Sequence, residues 1–174
     1  MKGHVILSHG LESSPDATKA TALSQTAEAM GWTSQRPDYR SWDNDFSRNR
    51  LGDVEGRIRH LLEIARAVTA PLVLARSSMG AFISARVSLQ VPVHGLFLMA
   101  PPTELEGYAI RLDAPAVPTA IVHGWDDELI PAEEVARWAR LRRAHTVFVD
   151  DSHRLANHVV FCAEEFGRFL AGLS

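Results

Sequence analysis

The sequence has little cysteine and no excess of basic charge. Its 174 residues include one cysteine, Cys162, so the chain cannot form an internal disulfide, and we expect a reducing compartment. The neighbours of Cys162 include Val160 and Phe161, which predicts a buried thiol rather than a reactive one. The formal net charge is −3. Because phosphate binding needs a basic surface, this charge argues against a nucleic-acid partner.

Long apolar runs and nucleotide-binding glycine motifs are also missing. No window approaches the ~20 apolar residues of a membrane span, and the apolar run near Met1 is too short for the core of a signal peptide. We therefore expect a cytoplasmic protein with no membrane partner. The sequence contains neither a Walker A motif nor a GxGxxG motif, so nothing indicates a nucleotide. We predict no cofactor, and no convergent set of ligands indicates a metal site.

The composition is that of an ordinary globular protein. Hydrophobic residues make up 46% of the chain and charged residues 22%, which is not the balance of a disordered protein. The length suits one core. Residues 1–174 are therefore predicted to form a single domain.

Short apolar segments alternate with amphipathic segments along the chain. The predicted strands cover residues 4–8, 33–37, 72–75, 93–100, 119–123 and 146–149. Apolar residues at helical spacing separate most of these strands and follow the last one. This alternation predicts an α/β fold, with a doubly wound, mainly parallel six-stranded sheet and helices on both faces.

Three local features complete the predicted organisation. Ser14 and Pro15 are expected to begin the first helix, as an N-cap followed by a proline at the first helical position. Residues 38–50 are polar without a period, which predicts a long loop. Residues 103–118 are too short and mixed for a lid domain.

Residues that can do chemistry follow the predicted strands. Ser78 lies in a tight turn between the apolar run that starts at Leu72 and a helix-compatible stretch, which is the setting of a nucleophile elbow. Asp127 follows the fifth strand and His153 the sixth. Ligands bind beyond the carboxyl ends of the strands in a doubly wound sheet. The serine, the acid and the histidine are therefore predicted to meet at one sheet edge.

Four short motifs are spread over nearly the whole chain: Ser-His-Gly at 8–10, Ser-Ser-Met-Gly at 77–80, His-Gly-x-x-Asp-x-x-x-Pro at 123–131 and Asp-Ser-His-Arg-Leu at 151–155. In these motifs the chain resembles the small, uncapped serine hydrolases of the α/β-hydrolase superfamily, a group that includes the retinoblastoma-binding serine hydrolase and small bacterial esterases. The chain order serine, acid, histidine is also the order of this superfamily. The resemblance implies a minimal hydrolase fold without a lid.

The resemblance also implies a role for each matching residue. Ser78 would be the nucleophile, His153 the general base and then acid, and Asp127 the carboxylate that orients the imidazole. The backbone N–H groups of Leu11 and Met79 would form the oxyanion hole. The implied activity is hydrolysis of a small carboxylic ester or thioester through an acyl-enzyme.

Alternatives remain open at the level of the sequence. Asp126 and, more remotely, Glu104 compete for the role of the acid, and His158 competes for that of the histidine. His9 and His123 are expected to make structural contacts in turns. The same triad would suit a peptidase or amidase, and a non-catalytic interaction protein could use the same scaffold. A monomer and a homodimer are equally compatible with the sequence.

Arg76 departs from the elbow pattern, which has a small residue two positions before the nucleophile. One interpretation is a tolerated substitution whose stem lies on the surface. The other is a guanidinium that binds Asp43 or Asp45 from the loop at 38–50 and fixes one wall of the site.

Large side chains near the strand ends are candidate walls of the substrate pocket. They are Leu11, Met79, Trp125, Tyr39, Trp42 and Phe46. The loop aromatics among them could equally anchor the loop on the core. Without a lid we expect an open, shallow cleft suited to short acyl groups, and a small-molecule ester as the partner.

Overall fold

The computed structural model describes residues 2–173, and its central element is one sheet of six parallel strands. The strands are β1 His4–Ser8, β2 Thr33–Gln35, β3 Leu72–Ser77, β4 Gly95–Met99, β5 Thr119–Gly124 and β6 His145–Val149. Every neighbouring pair is parallel, in the order β2-β1-β3-β4-β5-β6. The predicted six-stranded parallel sheet is confirmed.

Helices cover both faces of this sheet. They are α1 Thr18–Ala29, α2 Arg40–Asp43, α3 Val54–Ala67, α4 Met79–Ser88, α5 Ala132–Arg142 and α6 Val159–Gly172, with a 3₁₀ turn at Ala156–His158. Successive side chains of a strand point to opposite faces. Leu74 accordingly packs with α3, α4 and α5, whereas Val73 and Ala75 pack with α1 and α6. The predicted doubly wound arrangement is confirmed.

The strand order places a crevice at the carboxyl ends of β1 and β3. The chain runs from β1 outwards to β2, and then returns to lay β3 on the other side of β1. Such a switch point is where open α/β sheets bind ligands, because the loops that follow the two strands diverge. Ser8 and Arg76 are paired across this boundary, and Ser78 follows directly.

The structure corrects the prediction for the first helix. Helix α1 begins at Thr18 rather than at Ser14 and Pro15. The Ser14 side chain instead accepts a hydrogen bond from the N–H of Asp16, and its carbonyl accepts one from the N–H of Ala17. The Ser14 side chain therefore stabilises a turn that precedes the helix, and it does not cap the helix itself.

Two loop predictions are also refined. Strand β2 ends at Gln35, two residues before its predicted end, and the stretch 38–50 contains the short helix α2. Residues 103–118 hold an isolated bridge between Leu105 and Tyr108, with no lid, as expected. Among the helices of residues 2–173, none is both long and apolar enough to cross a membrane.

Candidate active site

The turn between β3 and α4 consists of Ser78 alone. Its backbone has φ 54° and ψ −126°, a conformation that non-glycine residues rarely adopt and that costs about 1–3 kcal/mol. The Ser78 N–H donates to the Met99 carbonyl at 2.9 Å, and its carbonyl accepts from the Ala81 N–H at 2.9 Å. These bonds hold the strained turn. Its Oγ makes no cap bond to helix α4 and is left for other contacts.

Gly80 allows helix α4 to approach β1 closely. A Cβ atom at this position would lie 1.8 Å from the carbonyl oxygen of Ser8, which is far inside van der Waals contact. The elbow pattern has a small residue two positions after the nucleophile for this steric reason. Gly80 thus fixes where the helix begins and how Ser78 is presented.

The structure brings Ser78, His153 and Asp127 into one hydrogen-bonded chain. The Ser78 Oγ lies 2.9 Å from His153 Nε2, and His153 Nδ1 lies 2.8 Å from Asp127 Oδ2. The carboxylate only accepts, so Nδ1 carries the proton and Nε2 is free to accept one from the serine. The other carboxylate oxygen, Oδ1, accepts from the N–H groups of Leu129 and Ile130 at 2.9 and 2.8 Å.

The alternatives from the sequence lie elsewhere. Asp126 and Glu104 are exposed and make no hydrogen bond to His153 within the part of the chain that the structure describes. The His158 Nδ1–H donates to Asp151 at 2.8 Å, so this imidazole helps to shape the loop that carries His153. The geometry therefore selects Asp127 and His153.

Hydrogen bonds keep Asp127 ionised in a buried position. Burial raises the pKa of this carboxyl, but the bonds from His153, Ile130 and Leu129 outweigh burial and hold the pKa below its usual range. His123 lies beneath the same turn, where its Nε2–H donates to the Ile130 carbonyl at 2.9 Å. Burial lowers the pKa of His123 and favours the neutral ring.

Two backbone N–H groups border the cavity beside Ser78. Met79 is the first residue of α4, so its N–H has no acceptor within the helix. Leu11 follows the turn after β1, and both residues line the same cavity as Ser78. Neither N–H donates to an acceptor in residues 2–173. Both are therefore available to a ligand oxygen.

A buried arginine fixes the turn that carries Leu11. Arg57 donates to the carbonyl oxygens of His9 and Gly10 at 2.9 and 3.2 Å, and its charge is balanced by both carboxylate oxygens of Asp43. His9 accepts from the Tyr39 N–H at 2.9 Å through Nε2, so its Nδ1–H donates to the Gly10 carbonyl. Burial lowers the pKa of His9, consistent with this neutral form.

The sequence analysis did not single out Arg57, and it named Asp43 only as a possible partner of Arg76. The position of Arg57 carried a signal, because it lies three residues after Val54 and four before Leu61 on the apolar face of α3. A charged residue on a buried stripe needs a partner. Nothing in the sequence identifies Asp43 as that partner.

The site opens into a cavity of about 760 Å³ at the carboxyl ends of the strands. Leu11 and Met79 line it, as expected, together with Ser78 and His153. Further lining comes from the loop after β1, from α1, from the segment after β4 and from residues 128–130. This volume is typical of a small-molecule site.

The predicted aromatic walls are wrong, because none of them lines this cavity. Tyr39 is fully buried and is hydrogen-bonded to the Ser8 hydroxyl at 2.8 Å. Trp42 stacks on His60 and Trp125 on Phe148, with ring centroids 4.5 and 4.4 Å apart. Phe46 is 63% exposed. Tyr39 and Trp42 therefore anchor the loop, which is the other interpretation of these residues.

Both interpretations of Arg76 are wrong as well. The side chain is 1% exposed, so its stem does not lie on the surface. Asp43 is bound by Arg57, and the exposed Asp45 accepts from the Ser47 N–H. Arg76 instead lines the cavity.

The single thiol of the chain, Cys162, is buried as predicted, and burial raises its pKa to about 11.

Residues 2–173 contain no group of three or more histidine, cysteine or acidic side chains that could hold a metal ion.

Solved structures similar to this chain share its whole fold. A protein of Xanthomonas campestris pv. campestris assigned to the alpha/beta hydrolase superfamily is 52% identical over 98% of this chain and 99% of its own, with a TM-score of 0.95. An alpha-beta serine hydrolase homologue from Coxiella burnetii is 25% identical over 98% and 86%, with a TM-score of 0.73. A serine hydrolase without a lid from Xanthomonas campestris, 21% identical over 96% and 81% with a TM-score of 0.72, shares the fold. No family model and no curated protein matches the chain.

Proposed function

Because the chain belongs to the α/β-hydrolase superfamily, we propose that it is a serine hydrolase that cleaves small carboxylic esters or thioesters. The observation that carries the proposal is the hydrogen-bonded chain from Ser78 through His153 to Asp127, with distances of 2.9 and 2.8 Å. A serine hydroxyl becomes a good nucleophile when an imidazole takes its proton. The imidazole is held in the required tautomer by the carboxylate.

In the first half-reaction Ser78 Oγ attacks the carbonyl carbon of the ester, and its proton passes to His153 Nε2. The negative charge that develops on the carbonyl oxygen is stabilised by the N–H groups of Leu11 and Met79. Asp127 stabilises the imidazolium without taking its proton. When the intermediate collapses, His153 protonates the leaving alcohol or thiol, and the acyl group stays on Ser78.

In the second half-reaction water replaces the alcohol. His153 Nε2 takes a proton from the water molecule while its oxygen attacks the acyl carbon, and the same oxyanion donors stabilise the second intermediate. Collapse of this intermediate releases the carboxylic acid, and the proton on His153 returns to Ser78 Oγ. The enzyme is thus restored with one water consumed.

Labelling with a fluorophosphonate probe tests the nucleophile. The wild-type protein should be labelled, and Ser78→Ala should not. Ser41→Ala, which removes an exposed hydroxyl on α2, serves as the matched control and should be labelled like the wild type. Ser77 is the adjacent serine. Labelling that persists in Ser78→Ala but is lost in Ser77→Ala would mean that Ser77, and not Ser78, is the nucleophile. A folded wild-type protein that is not labelled would favour a non-catalytic role.

A panel of ethyl esters with matching amides tests the reaction class. We expect hydrolysis of the esters with short acyl chains and at least 100-fold slower hydrolysis of the amides. This factor corresponds to an activation free energy about 3 kcal/mol higher for the amides. Activity restricted to long-chain lipids would contradict the substrate size. Faster cleavage of the amides would make the protein an amidase with the same triad.

A further inference from the structure

Arg76 is a buried cation in the wall of the active-site cavity. It is 1% exposed and lines the same cavity as Ser78 and His153. Its Nε and Nη1 atoms are enclosed, and they form no hydrogen bond with any residue between 2 and 173. Arg76 therefore places a positive charge in the cavity wall without a counter-charge from this part of the chain.

Arg57 shows what the protein supplies to a buried arginine that has a structural task. Its side chain is 0% exposed, and it donates hydrogen bonds to both carboxylate oxygens of Asp43 and to two backbone carbonyls. Arg76 is almost as deeply buried, but no carboxylate or carbonyl of residues 2–173 accepts a hydrogen bond from its Nε or Nη1. Leaving a buried charge without a partner is strongly unfavourable. The contrast indicates that the partner of Arg76 does not lie among residues 2–173.

The acidic side chains that line the cavity are engaged elsewhere or exposed. Glu104 pairs with Arg111, and Glu106 pairs with Arg50 at the rim. Glu128 accepts from the backbone N–H of His153 at 3.1 Å. The remaining acid of the lining, Glu12, is exposed and forms no ion pair among the described residues. None of the four reaches Arg76.

A second cation lies on the same side of the cavity. Lys19 of α1 lines the cavity, and its Nζ donates to the Arg154 carbonyl. Its charge interacts with that of Arg76. Burial and the nearby Arg36 lower the pKa of Arg76 to about 10, so its guanidinium stays charged at neutral pH. One side of the cavity therefore carries positive charge close to the nucleophile.

We propose that Arg76 binds a carboxylate of the substrate, so that the preferred substrates are short esters that carry a free carboxylate besides the ester group. A guanidinium matches a carboxylate with two parallel hydrogen bonds, which an ammonium cannot do. Residues 76 and 78 are two apart along β3 and its turn, about 7 Å between Cα atoms. The carboxylate would therefore lie only a few bonds from the reacting carbonyl. This inference rests on the proposed hydrolase activity and specifies its substrate class.

The test compares charged esters with neutral esters of the same shape, in a pH-stat at pH 7. Monoethyl succinate and ethyl succinamate place the carboxylate or its amide on the acyl side. Acetoxyacetate and acetoxyacetamide place it on the alcohol side. We expect kcat/KM of the wild type to favour the acid in one of the two pairs by about 10- to 100-fold, which is the range for charge-assisted hydrogen bonds. The pair that shows the preference identifies the side of the ester.

Substitution at Arg76 ties the preference to this residue. Arg76→Met should lower kcat/KM for the acid by about 10- to 100-fold and so abolish the preference, whereas Arg76→Lys should retain part of it. Arg140→Met, an exposed position on α5, removes the same charge outside the cavity and should leave the preference intact. Loss of activity on charged and neutral esters alike in Arg76→Met would mean a structural role and would overturn the inference.

A measurement on the wild type alone guards against a variant that does not fold. Succinate should slow fluorophosphonate labelling of Ser78, and succinamide at the same concentration should not. Equal effects of the two compounds, or equal hydrolysis of the acids and amides by a protein that is labelled, would overturn the carboxylate inference while the hydrolase function stands. A wild-type protein that is neither labelled nor active on any of the four esters would instead overturn the proposed function.

Discussion

The two buried arginines should respond in opposite ways to the same substitution. Arg57→Met leaves the Asp43 carboxylate buried without its cation, and it also removes the donors to the carbonyls of His9 and Gly10. Breaking a buried ion pair in this manner costs about 3–5 kcal/mol. Arg76→Met breaks no bond to another described residue and removes an unpaired charge. A methionine of similar length fills much of the same space.

The magnitudes follow from burial and chain length. An unsatisfied buried polar group costs about 1–3 kcal/mol, and more if it is charged, so Arg76→Met should gain about 1–3 kcal/mol. For a chain of this size 1 kcal/mol corresponds to about 2–4 °C in Tm. Arg57→Met should therefore lower Tm by about 6–20 °C, and Arg76→Met should raise it by about 2–12 °C.

Thermal unfolding followed by circular dichroism at pH 7, without added ligand, measures both variants in one experiment. Chemical unfolding in urea gives the free energies directly, with unchanged slopes expected if the fold is kept. The reasoning would be refuted if Arg76→Met lowered Tm as much as Arg57→Met does. That result would mean that the chain does stabilise the Arg76 guanidinium.

Three further outcomes test the elbow, the acid and the buried histidines. Gly80→Ala should lose about 3 kcal/mol or more of unfolding free energy because its Cβ meets a backbone carbonyl at 1.8 Å, whereas Gly172→Ala, with nothing within 4 Å, should be neutral or stabilising in the same urea titration. Asp127→Asn should lower kcat on an ethyl ester about 10⁴-fold, and Asp126→Asn, its exposed neighbour, should change kcat less than about threefold; similar losses would contradict the assignment. Burial lowers the pKa of His123 in the folded protein, so the unfolded chain binds more protons below about pH 6.5, and stability should fall as the pH drops below this value. His123→Gln should flatten this part of the Tm-against-pH curve, and an unchanged slope would refute the role of burial.

The sheet and the meeting of Ser78, His153 and Asp127 could be predicted because their signals are local. The apolar run that begins at Leu72 predicts a buried strand by itself, whatever strands lie beside it in the sheet. The parallel sheet then brings the ends of separate strands together, which is why Ser78, Asp127 and His153 meet although they lie far apart in the chain. The helix start failed at Ser14 because a capping side chain serves a turn as well as it serves a helix.

The pocket walls could not be predicted because they depend on which partner each side chain finds. An aromatic residue in a polar loop can face a ligand or anchor the loop. Tyr39 is drawn inwards by the Ser8 hydroxyl and by the face of the Arg57 guanidinium, 4.7 Å from its ring centre. Ser8 and Tyr39 are 31 positions apart, with α1 and β2 between them, and Tyr39 and Arg57 are 18 positions apart, with α2 and the start of α3 between them. The spacing of apolar residues in the sequence does not predict such contacts between distant side chains.

Arg76 combines both situations. The alternation of β3 places it on the buried face that carries Leu74. The sequence does not show, however, that Asp43, one of its suggested partners, is bound by Arg57. Two unfavourable features thus lie two residues apart, the unpaired charge of Arg76 near the end of β3 and the positive φ of Ser78 in the turn that follows. Folded proteins retain such local conflicts mainly where function requires them. The proposed attack on a carbonyl accounts for the strained serine, and the proposed carboxylate of the substrate accounts for the neighbouring arginine in the same way.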